Sequence, residues 1–128
     1  MSGERGSIVL GLGVMVLALV LAAAVGAVGA GVAAHVHAAG AADAAALAAA
    51  PVTFRPFGAK GSPTHEAARF ASANQTRLVR CVCPIDRSWR TRTVTVVVER
   101  GVDLPGLGWV RVRASSRATF EPAALLAP

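Results

Sequence analysis

The residues that could do chemistry are two cysteines, three histidines and a group of arginines, and none of their spacings builds a catalytic centre. Cys81 and Cys83 share one face of a predicted strand. They are too close in sequence for an ordinary mutual disulfide, so outside the membrane we expect them to bridge two chains. A zinc site lacks its second pair of ligands, with only His65 as a further candidate, so we predict no metal.

The other polar residues also argue against an enzyme. His35 and His37 point about 200° apart on a helix and cannot chelate one metal ion together. The seven acidic residues are scattered singly, and no Ser/His/Asp spacing is present in the polar part of the chain. We therefore predict a protein without catalytic activity and without a cofactor.

Arginines supply almost all of the positive charge, and twelve of the thirteen basic residues follow Pro51 together with five of the seven acids. Arg111 and Arg113 share one face of a predicted strand, with Arg90 and Arg92 nearby. Such a group could hold nucleic acid, anionic lipid headgroups or an anionic wall polymer. A solvated basic face without a ligand is the alternative, and the absence of aromatic residues interleaved with the arginines favours it.

A long uncharged segment precedes this basic part. Residues 8–34 contain no charged side chain, and a helix needs about 20 apolar residues to cross a bilayer. We predict a single-pass transmembrane helix over 8–34 in the cell membrane. Arg5 then places residues 1–7 in the cytoplasm and the C-terminal part outside. A secretory signal cleaved within 22–30 is the alternative. Signal peptides have an apolar stretch of only about 7–15 residues, however, and the uncharged run of this chain is longer.

The helix is predicted to continue as an alanine-rich stalk over residues 35–50. Alanine has the highest helix propensity, and Pro51 ends the helix because it disfavours helical geometry in the residue before it. Small residues recur at every fourth position, and Ala22, Gly26 and Ala30 would let a second helix approach closely, in another copy of the chain or in another protein. Asp43 is the only acidic or basic residue between Arg5 and Arg55.

The chain after the predicted stalk has the pattern of a small α+β domain. A loop over 51–62 leads to a short helix at 63–74, with Ser62 as N-cap and Pro63 at the first helical position. Strands are predicted over 76–83, 92–99 and 109–115, with Val94, Val96 and Val98 on one face. This extracytoplasmic domain, 63–120, can bury only a small core and needs support from the helix or a partner. Residues 121–128 read as a loosely ordered tail.

Two short elements frame the predicted membrane span. Glu4-Arg5-Gly6-Ser7 precedes it, and the sequence AADAAALA follows it at 41–48; AARFASAN stands at 67–74. With these elements the chain resembles TadE/TadG-like proteins of tight-adherence (Flp-type) pilus assembly. It is most similar to the short members encoded beside helicase and secretion genes in high-G+C Gram-positive bacteria. That family carries an R-G-S element before the membrane helix and A-A-D-A-A-A-L-A after it.

The residue pattern predicts an α+β fold that is pilin-like, with a long N-terminal helix followed by a short helix and a three-stranded antiparallel sheet. The resemblance implies a single-pass protein with its C-terminal part outside. It also implies a minor pseudopilin or pilus-assembly role, with other pilin-like and Tad assembly proteins as partners. Processing would fall between Gly6 and Ser7, and Asp43 would orient the stalk or meet a partner. Classical members keep a glutamate at the fifth position after the processing glycine, where this chain has Gly11; this departure favours an uncleaved anchor. The alternative function is a basic, envelope-anchored protein that binds DNA or an anionic cell-wall polymer.

Overall fold

The computed structural model describes residues 3–54 and 61–126, and it confirms the predicted α+β class. Two helices, α1 and α2, are followed by three strands, β1 to β3, and a short 3₁₀ helix. Their bounds are Gly3–Val52 for α1, Pro63–Ala73 for α2, Arg77–Val82 for β1, Arg92–Leu104 for β2, Gly108–Phe120 for β3 and Pro122–Leu126 for the 3₁₀ helix. Part of the predicted loop, residues 55–60, lies outside the described residues.

Helix α1 is one continuous element of 50 residues, about 75 Å long at 1.5 Å per residue. It passes the predicted end, and Pro51 lies inside its last turn. Proline restricts the residue before it, but here Ala50 is held in the helix by burial, with 4% of its surface exposed. The helix ends at Val52, and the hydroxyl of the next residue, Thr53, donates to the carbonyl of Ala50 at 2.6 Å.

The three strands form one antiparallel sheet in the order β1-β2-β3. Strands β2 and β3 pair without a break from Arg92 opposite Phe120 to Leu104 opposite Gly108. Both therefore extend about five residues beyond the predicted ends, since cross-strand pairing holds a segment that reads as a loop in sequence. The connection is a tight turn in which Leu107 N–H donates to Leu104 at 3.0 Å, with Gly106 at φ 80°, a conformation that favours glycine.

The core is a close contact between alanines and valines. Val94, Val96 and Val98 are fully buried on the inner face of β2, as their alternation predicts. Two adjacent stripes of α1 cover them, and two alanines of α2 complete the cluster. The alanines of the cluster are Ala41, Ala42, Ala45, Ala46, Ala49 and Ala50 of α1, with Ala67 and Ala71 of α2.

This contact corrects the predicted stalk. Residues 35–50 are not a free stalk, because Ala38 and most of residues 41–50 are buried in the helical layer that covers the sheet. The small side chains bring the helix backbone close to β2 and β3, and the apolar face of the sheet needs such a cover. The small domain needs support from another element, and α1 of the same chain provides it.

The β2–β3 hairpin runs back along α1 towards its N-terminal half. At one end, Asp86 N–H donates to Thr53 at 3.1 Å just before β2 begins. At the other end, the turn at 104–107 lies beside α1 residues between Ala23 and Gly31. About 26 helical residues and 12 strand residues separate these ends, and both distances come to about 40 Å. Only the part of α1 before the turn is therefore clear of the domain.

The C-terminal tail is more ordered than its sequence indicates. Pro122 is buried, and Pro122–Leu126 form a single 3₁₀ turn. Proline at the first position restricts φ to a value that suits the start of such a turn.

Replacing Ala46 with leucine should lower the free energy of unfolding by about 1–3 kcal/mol, because the larger side chain overpacks a fully buried position. Alanine and leucine have similar helix propensities, so the loss reports packing. Urea unfolding of the detergent-solubilised chain, followed by tryptophan fluorescence, measures it. The matched control is Ala48→Leu at a half-exposed position, and an equal loss in both variants would contradict the close contact.

Candidate functional site

Asp43 lies on the side of α1 that faces away from the sheet. Its side chain is exposed, whereas the adjacent Ala42 and the nearby Ala46 are fully buried. Within residues 3–54 and 61–126 its carboxylate forms neither a hydrogen bond nor an ion pair. Asp43 therefore contributes nothing to the core and is presented to any molecule that packs along α1.

The surface around Asp43 is otherwise apolar. Val32, Val36 and Leu47 are 59%, 65% and 67% exposed, and their spacing places them on one side of the helix with Asp43. We call these four residues the outer stripe of α1. It is a narrow hydrophobic surface with one acidic residue, Asp43, in its C-terminal half.

The predicted packing stripe of small residues is exposed at one end and buried by the sheet at the other. Ala22 and Gly26 are exposed, and Ala30 is half-buried next to the hairpin. The same four-residue series continues with alanines that the chain's own sheet buries, namely Ala34, Ala38, Ala42, Ala46 and Ala50. Close approach through small residues thus occurs within the chain, and contact of Ala22 and Gly26 with a second helix stays a prediction.

Gly6 and Ser7 lie near the start of α1 and are exposed. A side chain at position 6 or at position 11 would meet no other atom within 4 Å. Both positions are therefore open to another protein, and processing at this point stays a prediction.

The prediction that Arg92 belongs to an anion-binding surface is wrong. Arg92 occupies an inward position on β2, on the same side as Val94, and is only 7% exposed. Its guanidinium lies over the ring of Phe54 at 5.4 Å. It also donates to four backbone carbonyls, those of Thr53 (3.2 Å), Asp86 (2.5 Å), Arg90 (3.0 Å) and Ser88.

The planar fork of Arg92 thus joins the end of α1 to the segment between β1 and β2. Two further contacts complete this junction. The rings of Phe54 and Trp89 meet edge to face at 4.9 Å. Asp86 accepts hydrogen bonds from the hydroxyl and backbone N–H of Ser88, and these bonds lower the pKa of its carboxyl.

Arg113 is also not a free ligand, because it is ion-paired with Glu99. The register places Arg77, Glu99 and Arg113 side by side on the outer face of the sheet. Arg77 Nε donates to Glu99 at 3.1 Å, and Arg113 Nε donates at 3.2 Å. The hydrogen bonds from Arg77 and then Arg113 lower the pKa of Glu99 against the opposing effect of burial.

The four predicted anion ligands do not converge on one site. Arg90 precedes β2, whereas Arg111 lies opposite Gly101 near the other end of the hairpin. Nine residues of β2, or about 30 Å, separate the two ends. With Arg92 buried and Arg113 paired, the hypothesis of a basic binding protein loses the group of residues on which it rested.

Cys81 and Cys83 are bonded to each other, so the prediction of a bridge between two chains is wrong. Their Cα atoms are 5.4 Å apart, within the usual range for a disulfide. Two residues of extended strand would span about 6.6 Å. The shorter distance arises because β1 ends at Val82 and Cys83 departs from the strand before Pro84.

The histidines and acids do not assemble a metal site in the described part of the chain. No three side chains of His, Cys, Asp or Glu come together there. His37 instead donates from Nε2 to the carbonyl of Asn74 at 2.9 Å, which joins α1 to the end of α2.

Two features of the surface went unpredicted. The ion-paired row across the outer face depends on strand register, which the sequence does not specify. The contact of the hairpin turn with α1 had a signal, since residues 104–110 (LPGLGWV) are uncharged although they stand in the charged half of the chain.

One helix in the described residues is long and apolar enough to cross a membrane. The candidate segment is Gly6–Val52, and its most apolar window has a mean hydropathy of 2.9 with none of its residues buried. Comparisons of the chain with protein-family models, with curated proteins and with solved structures find no match.

Replacing Arg92 with lysine should lower the free energy of unfolding by about 2 kcal/mol, because one ammonium group cannot serve four carbonyls that a planar fork serves. Urea unfolding in detergent measures the loss. Arg90→Lys is the control, since the Arg90 side chain is exposed and should tolerate the exchange. A loss in Arg90→Lys as large as that in Arg92→Lys would contradict this account of the junction.

Replacing Glu99 with glutamine should weaken the acid sensitivity of the fold. A carboxyl whose pKa is lowered by folding stabilises the protein at neutral pH, and this contribution disappears as the pH falls through the folded-state pKa. The variant should be less stable than the parent at pH 7 and should lose less stability below the ordinary glutamate pKa. Urea unfolding over a pH series tests this, with the exposed Glu121→Gln as control; parallel pH profiles for the parent and Glu99→Gln would refute it.

Proposed function

We propose that the chain is a membrane-anchored, pilin-like structural protein, a minor pseudopilin or assembly component of a Flp-type (tight-adherence) pilus or a related secretion system. The observation that carries the proposal is the division of α1 into two halves. Its first half exposes apolar side chains all round, and its second half is packed on an antiparallel sheet. The proposed role is structural: the chain contributes packing surfaces to an assembly and catalyses no reaction.

The bare half of α1 supports an anchoring role. Its large residues are exposed on every side, for example Leu10 at 72%, Leu17 at 59% and Val20 at 59%. Such a surface is stable in lipid and costly in water. Arg5 precedes the uncharged run, and the next basic residues follow far beyond it, which favours a cytoplasmic N-terminus. A disulfide is typical of an oxidising compartment outside the cytoplasm.

The outer stripe supports a role in assembly. The sheet side of α1 is already occupied, so another protein that packs along the second half of α1 has to use Val32, Val36, Asp43 and Leu47. Asp43 stands in the AADAAALA element on which the resemblance to TadE/TadG-like proteins rests. We infer that Asp43 pairs with a cationic group of a neighbouring membrane protein.

The proposal holds for a processed and for an unprocessed chain. A chain cut after Gly6 keeps the whole bare half of α1, and a chain that starts at Met1 keeps it as well. The glycine at position 11, where classical members have glutamate, therefore affects the mode of assembly and leaves the architecture unchanged.

Site-specific photocrosslinking in the native host tests the proposal. A benzoylphenylalanine at Leu47 should crosslink to another membrane protein of the assembly system, because this position lies on the outer stripe. The matched control is the same residue at Leu125, which is equally exposed at 67% but lies on the C-terminal 3₁₀ turn. Adding Asp43→Lys should abolish the crosslink from Leu47, since a positive charge would repel the partner's cation.

Three results would count against the proposal. They are recovery of the chain in the soluble fraction, equal crosslinking from Leu47 and Leu125, and a Leu47 crosslink that survives Asp43→Lys. N-terminal sequencing of the same membrane preparation identifies the processed form, which would begin at Ser7.

A further inference from the structure

The tip of the β2–β3 hairpin is an apolar surface that the described part of the chain leaves open. Residues 104–110 carry no charge, and Leu107 and Trp109 are 72% and 71% exposed. Large apolar side chains side by side at a turn are unusual in contact with water and indicate an interaction surface. We call residues 104–110 the hairpin tip.

The hairpin tip lies against α1 within the uncharged run. Its turn forms a cleft with one side of α1, and the helix residues that line this cleft are Ala23, Ala24, Ala27, Val28 and Gly31. From Ile8 to Ala27 the helix rises about 29 Å. This length matches the hydrocarbon thickness of a bilayer, about 30 Å. A helix that enters the bilayer at Ile8 thus reaches its far surface at the level of the hairpin tip.

Charges begin directly above this level. Asp103 and Arg111 flank the tip on β2 and β3 and are exposed, whereas 104–110 are free of charge. An apolar end bordered by charged side chains is the pattern of a segment that enters the membrane interface, where tryptophan is enriched.

The position of the Trp109 ring is fixed by its neighbour on β2. The indole lies over Gly101, and a Cβ at that position would collide with the ring. Glycine at 101 therefore allows the ring to rest on the outer face of the sheet while most of its surface stays exposed. Its apolar body and its N–H suit the boundary between acyl chains and headgroups.

We propose that the hairpin tip inserts Leu107 and Trp109 into the headgroup region of the leaflet on the domain's side, as a second membrane contact beside α1. This inference rests on the proposed function in one respect, that α1 crosses the bilayer. Two contacts fix the rotation and tilt of the domain, which a single helix leaves free. They set the direction in which the outer stripe with Asp43 faces along the membrane plane.

Tryptophan quenching in vesicles tests the inference with the full chain. Trp89→Phe leaves Trp109 as the only tryptophan, and Trp109→Phe leaves Trp89, which packs on Phe54 at the opposite end of the sheet. Each variant is reconstituted in phosphatidylcholine vesicles with bromine near the top of the acyl chains in both leaflets. The direction of insertion then does not affect the result.

We expect Trp109 to be quenched several-fold more than Trp89 by the brominated lipid, to be quenched less by aqueous acrylamide, and to emit at shorter wavelength. Equal quenching of the two tryptophans in vesicles that carry the protein would overturn the insertion and leave the anchor intact. Failure of the parent chain and both variants to float with the vesicles would overturn the anchor and, with it, the insertion.

Discussion

The contact between the alanines of α1 and the valines of β2 is the constraint on which the rest of the structure depends. A sheet with one apolar face has to bury that face against another element of structure. Alanine lets a helix lie closer to that face than leucine would, and the fully buried Ala42 and Ala46 occupy this narrow space opposite Val96 and its neighbours. The long apolar helix is therefore also half of the core.

This shared helix also fixes the length of the domain. The end of α1 is joined to the start of β2 by the Arg92 junction, so β2 has to run back along the helix from that point. Its thirteen residues carry the turn to the level of Ala27, and β3 returns over the same distance. The lengths of strand and helix, both about 40 Å between the same ends, decide how much of α1 is left clear of the domain.

Sequence reasoning reaches the elements of this fold but only part of their arrangement. Sequence identified β2 because Val94 and Val96 alternate with Thr93 and Thr95 in a segment rich in β-branched residues. The burial of the alanines between 41 and 50 was not predictable in that way, since alanines repeat on every side of the helix and give no alternation in polarity. The sequence did contain a signal for the burial of Arg92, because Arg92 lies two residues before Val94 and therefore on the same face of β2. The same alternation places Arg111 and Arg113 of β3 on the outer face. The disulfide depended on a local bend after Val82, which no residue pattern indicates.

One face of α1 packs on the sheet, and Asp43 lies on the opposite, exposed face, where it can affect how a second protein binds. A carboxylate on a surface that becomes buried against a partner loses its hydration, and a pairing cation offsets that cost without adding much affinity. The apolar members of the outer stripe, Val32, Val36 and Leu47, would supply the attraction, and they would accept many partners in many registers. One acid among them excludes every register that leaves the charge unpaired. In the proposed assembly role, Asp43 would therefore select the partner and its alignment, and the hydrophobic residues of the stripe would set the strength of binding.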